Sequence, residues 1–106
     1  MTTFDKREEG FERKFALDEE QKFKAEARRN KLLGLWTADK LGISGDAATA
    51  SAREVVAADF DDGGDGVFRK VTDDLILRSI PVTEQQIRAK MDELMAQAIV
   101  QVKAGI

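Results

Sequence analysis

Apolar positions recur at helical spacing through most of this chain, and they do so most plainly in its last third. In "SIPVTEQQIRAKMDELMAQAIVQVKAGI", residues 79–106, Ile87, Met91, Leu94, Ala98 and Val102 mark one face of a helix. Thr83 and Gln86 have the spacing of a capping box, in which each side chain satisfies an orphan backbone N–H of the first turn. Val82 and Ile87 are placed as a hydrophobic staple across that cap, and Glu84 suits the positive end of the helix dipole. Lys103 and Gly105 signal the stop. Upstream, "VFRKVTDDLILRS" (67–79) repeats the pattern on a shorter scale, with Val67 or Phe68, Val71, Leu75 and Ile76 sharing a face. The alanine-rich "AATASAREVVAADF" (47–60) follows a cap at Ser44 or Asp46, its larger apolar groups being Ala52, Val55, Val56 and Phe60. Between these two helices "DDGGDG" (61–66) reads as a loop. A first helix opens at a capping box of Asp18 and Gln21 and stops at Leu41-Gly42, its apolar residues thickening toward Leu32, Leu33, Leu35, Trp36 and Leu41.

The pattern therefore predicts helices at about 19–41, 46–60, 67–79 and 84–103. A single proline and few β-branched runs fit an all-α chain. Short connections make sequential helices antiparallel or steeply crossed, so the expected fold is a small four-helix bundle over residues 18–106.

Residues 1–17 do not join this scheme. Wound as a helix, Phe4, Phe11 and Phe15 fall within about 40° of one another. Continued one turn, the same face carries Asp18, Lys22, Glu26 and Arg29, so the stripe ends before it meets the body. Gly10 lowers helical tendency by about 1 kcal/mol against alanine, and so short an isolated segment is marginal as a helix. The expectation is a mobile, disordered N-terminal tail with a latent amphipathic helix, whose phenylalanines are buried when a partner supplies the other wall.

Composition narrows the function. The chain has no cysteine and no histidine, which removes thiolate chemistry, the commonest metal ligand and the commonest general base. Adjacent carboxylates such as Asp73-Asp74 and Asp92-Glu93 point about 100° apart on a helix and form no facing dyad. A non-enzymatic protein is expected. No apolar run approaches a membrane span and no signal pattern opens the chain, which points to a cytoplasmic protein without membrane insertion. Charge is uneven. Residues 1–31 hold nine basic and eight acidic side chains, whereas residues 32–106 hold eight basic and twelve acidic. So acidic a body argues against nucleic acid as partner.

Two clusters invite chemistry. Aligned on a calcium loop from Asp61, the 61–72 stretch has Asp65 and Gly66 in place, but Gly63 and Thr72 stand where ligands belong, the bidentate glutamate among them. A phosphate cradle there lacks its strand and its Lys-Ser/Thr. No cofactor is expected, and weak adenine-nucleotide binding has no positive support in these residues. The cations Lys22, Lys24, Arg28, Arg29 and Lys31 fit a solvated helix face, an acidic protein partner, or an adaptor for anionic membrane or nucleic acid.

The runs "FKAEARRNKLLGLW" (23–36), "VVAADF" (55–60), "GVFRKV" (66–71) and "IRAKMDELM" (87–95), with the opening "MTTFDKREEGFERKF", resemble the bacterial zeta subunit, an inhibitor of the F-type ATP synthase, across nearly the whole chain. The resemblance implies a four-helix bundle, monomeric when free, and an inhibitory N-terminal region. That region would insert at a catalytic interface of the ATPase head, contact the rotor and block ATP hydrolysis at the cytoplasmic face of the membrane. Phe4, Phe11 and Phe15 would then be the buried face. Asp5, Lys6, Arg7, Glu8, Glu12, Arg13 and Lys14 would make the polar rim, with Lys22, Arg28 and Arg29 as further partner contacts. "LILRSIPVTEQQ" (75–86) is more apolar than the resemblance leads one to expect.

Overall fold

The computed structural model describes residues 17–106. The disorder expected of residues 1–17 thus falls, Leu17 apart, outside the described residues. Three continuous helical stretches follow: α1 (Glu19–Lys40), α2 (Gly45–Leu77) and α3 (Glu84–Lys103). α2 is bent by non-helical backbone at Asp62 and Gly63, which divides it into two arms. Counting each arm, the described chain is a bundle of four helices, and no strand occurs among the described residues.

Both expected capping boxes form. The Gln21 backbone N–H donates to Asp18 Oδ1 at 2.7 Å, and the Asp18 N–H donates to Gln21 Oε1 at 3.4 Å. At α3 the Gln86 N–H donates to Thr83 Oγ1 at 3.1 Å and the Thr83 N–H to Gln86 Oε1 at 2.8 Å. α2 differs. Ser44 occupies its N-cap position, but the hydroxyl makes no capping hydrogen bond.

All three helices stop in the same way. Beyond α1, Gly42 takes φ +73° and Ile43 N–H reaches back to the Ala38 carbonyl at 2.8 Å. Beyond α3, Gly105 takes φ +74° and Ile106 N–H reaches Gln101 at 3.0 Å. Beyond α2 the left-handed position falls to Ser79, φ +56°, with Ile80 N–H on the Leu75 carbonyl at 3.0 Å. Each is a Schellman closure with an isoleucine following the left-handed residue.

The loop expected at 61–66 is shorter than its composition suggests. Gly63 adopts φ +59°, ψ −146°, a conformation open to glycine and strained for other residues. Gly66 then passes so near the first arm that a Cβ there would lie 2.6 Å from the Ala58 carbonyl oxygen. Two glycines thus let helix resume almost at once. Asp62 at the bend pairs with Arg69 of the second arm, and Lys70 bridges Glu54 of the first arm at 3.2 Å and Asp74 of its own at 3.1 Å.

α1 is the central rod, packing against both α2 and α3. Leu33, Val55, Val67, Val71, Leu75, Ile87, Met91 and Leu94 form the main core. A second, smaller cluster of Ala25, Ala98 and Ile99 joins the start of α1 to the end of α3, with Leu17 and Val102 against it. Two expected core groups are outside. Phe60 is 78% exposed at the elbow, and Ile76 is exposed on the second arm of α2.

Candidate partner-binding surface

The anchored start of α1 sets the geometry from which the N-terminal segment leaves. Leu17 packs on the small α1–α3 cluster, and Asp18 is fixed by its reciprocal hydrogen bonds with Gln21. Beside this root lies an open cavity of about 390 Å³, lined by Leu17, Asp18, Glu19, Lys22, Phe23 and Glu26. Phe23 is 63% exposed there, a large apolar side chain that the helix presents outward.

Of the ten candidate contact residues, Phe4, Asp5, Arg7, Glu8, Phe11, Lys14 and Phe15 lie outside the described residues. The remaining three do not form one patch. At 100° per residue, Lys22 and Arg29 fall within about 20° of each other, while Arg28 lies about 100° away from Arg29, near Lys24 and Lys31. Arg28 Nη1 donates to Gln101 Oε1 at 3.5 Å, which ties α1 to the end of α3. Lys24 pairs with Glu20 at 3.1 Å.

Arg29 is half-buried on α1. Its Nε donates to Asn30 Oδ1 at 2.8 Å. Burial pulls the Arg29 pKa downward, opposed in part by the charges of Asp59 on α2, Glu26 on α1 and Asp92 on α3. Asn30 itself is fully buried, and its Nδ2 finds no hydrogen-bond partner among the described residues. The apolar pattern did not mark Asn30 as interior, because its side chain is polar. The clue available was only its position, three residues before Leu33 on the face that α1 buries.

Among the described residues, no group of three or more His, Cys, Asp or Glu side chains is arranged to hold a metal, and no helix is long and apolar enough to cross a membrane.

Comparison with known proteins bears on nearly the whole chain, the N-terminal segment included. The family model for ATPase inhibitor subunit zeta matches residues 1–101. The chain belongs to the ATPase inhibitor subunit zeta family. A solved structure, determined by solution NMR, is 52% identical to it, covering 79% of this chain and 96% of that one, with a TM-score of 0.69. A search of curated proteins finds no match. Membership of the zeta family supports an inhibitory, regulatory role directed at an ATPase. It also gives the all-α bundle a functional setting.

Proposed function

We propose that this chain inhibits ATP hydrolysis by the F-type ATP synthase by inserting its N-terminal segment, residues 1–16, at a catalytic subunit interface, against head and rotor, so that rotation in the hydrolytic direction stalls. One observation carries the reading. The zeta family match begins at residue 1, so it takes in the segment with Phe4, Phe11 and Phe15, which the helical pattern of the body does not need. These three rings supply the apolar face, and Asp5, Arg7, Glu8 and Lys14 the polar rim. The bundle acts as a handle on the cytoplasmic side of the membrane. It works as a monomer without a cofactor and without catalysis of its own.

The root favours this division of labour. Leu17 and the Asp18–Gln21 capping box hold α1 rigid up to its first residue, so force on the inserted segment passes into the bundle. The adaptor reading, for anionic membrane or nucleic acid, gains little from α1. Its cations fall on two sides of the helix, and Lys24 and Arg28 are already engaged.

The test compares full-length protein with a variant starting at Leu17 in assays of ATP hydrolysis by the cognate ATPase. Inhibition by the full chain and none by the truncated one is expected. Equal inhibition by both would remove the segment from the mechanism.

A further inference from the structure

Trp36, the chain's sole tryptophan, is not closed into the core. It lies half-exposed toward the far end of α1, about 26 Å along the helix from Glu19. Two lysines from different helices approach its ring. Lys40 Nζ of α1 lies 5.6 Å from the ring centroid and Lys90 Nζ of α3 lies 6.0 Å from it. These residues line a cavity of about 590 Å³, with Val82 and Ala89 as apolar lining and Glu93 as the one carboxylate. Glu93 pairs with Lys90. In a chain of net charge −3, the site sets two ammonium groups against one carboxylate over an aromatic surface.

We infer that this pocket is a second docking point on the ATP synthase, taking a protein segment that carries a carboxylate next to an aliphatic side chain. The inference rests on the inhibitory reading above and names a further contact within it. The carboxylate meets Lys40 and Lys90, and the aliphatic group covers Trp36, Val82 and Ala89. Two lysines match one or two carboxylates rather than the phosphate array of a nucleic acid, and the apolar lining is covered only by an occupant with an apolar part. Attachment at both ends of α1 makes the second contact intramolecular once the first has formed, which raises affinity without enlarging either site.

The experiment uses full-length protein with fluorotryptophan at Trp36, added to the isolated ATPase head with its rotor. Fluorine NMR reads the pocket while ATP hydrolysis reads inhibition, and the double variant Lys40→Gln/Lys90→Gln is run beside the parent. The expected results are a shifted or broadened fluorine resonance on complex formation and a half-inhibitory concentration raised about tenfold in the variant, with maximal inhibition unchanged. The gap should narrow at high salt. Inhibition with an unmoved resonance and a variant equal to the parent would overturn the docking point and leave the inhibitory reading intact. A moved resonance without inhibition would do the reverse. An equal shift on adding millimolar succinate alone would make the pocket a small-anion site and overturn the proposal.

Discussion

Gly34 of α1 lies against Ala52 of α2 so closely that a Cβ on Gly34 would stand 2.5 Å from the Ala52 Cα. The atom it would meet is backbone, which cannot swing aside as a long side chain does. Gly34→Ala gains about 1 kcal/mol of helix propensity but must push two helices apart in a packed core, at a cost of about 1–3 kcal/mol. A net loss of about 1 kcal/mol is expected, read as a lower urea midpoint at unchanged slope. A more stable variant would mean that α1 and α2 do not touch here.

Ser79 holds a left-handed position that Gly42 and Gly105 hold at the other two helix ends. A side chain in that region carries a steric penalty of about 1–2 kcal/mol, partly offset by the lower entropy of the unfolded chain relative to glycine. Ser79→Gly should therefore stabilise the bundle by about 0.5–1 kcal/mol and raise its melting temperature by roughly 2–8 °C. Gly42→Ala should do the opposite by about 1 kcal/mol, although open space surrounds it. A thermal melt of the pair checks both signs.

Lys70 fastens the two arms of α2 through Glu54 and Asp74. Partial burial pulls its pKa down, but the hydrogen bonds and charges of Asp74 and Glu54 outweigh that, and the net shift is upward. A raised lysine pKa means stability that is fully present below the unfolded value, about 10.4, and is lost as pH rises through the folded value. Lys70→Gln should lower stability by about 0.5–1 kcal/mol at neutral pH, and the difference from the parent should shrink as the solution is made strongly alkaline. Unfolding curves at neutral and alkaline pH would show it. A difference independent of pH would count against the bridge.

Asp18 and Thr83 make the same capping box on different helices. Asp18→Ala and Thr83→Ala should each cost about 1 kcal/mol. Only Asp18→Ala frays the root of the N-terminal segment, so it alone should weaken ATPase inhibition beyond what lost stability explains. Hydrogen exchange at the first turn of α1, measured beside the inhibition assay, distinguishes the two variants. Equal loss of inhibition in both would count against a special role for the root.

Local chemistry made some of this fold readable in the sequence. The Asp18–Gln21 and Thr83–Gln86 spacings fix two helix starts, and the glycines at 42 and 105 fix two ends, because each signal acts within one turn of backbone. The elbow was less legible. "DDGGDG" has the composition of a loop, and only the φ of Gly63 and the close passage of Gly66 over Ala58 show that two residues suffice to reverse direction. Phe60 read as core because an alanine-rich helix gives its few large residues no contrast by which to choose a face. The division of the cations over two sides of α1 was available from 100° arithmetic. The approach of Lys40 and Lys90 to the Trp36 ring was not, since it joins two helices. Among the candidate contact residues, the phenylalanines stood out because nothing in the body has their register.

The elbow of α2 also brings both its arms to one core, Val55 from the first and Val67, Val71 and Leu75 from the second. Run straight, its 33 residues would reach about 50 Å, beyond the 39 Å longest dimension of the described body. Its second arm would then have to complete a neighbouring copy's bundle in place of its own. The non-helical torsions of Asp62 and Gly63 stand between the self-contained form and that reciprocal exchange. Gly63→Ala would tilt the choice toward an intertwined pair, visible as a doubled mass in sedimentation.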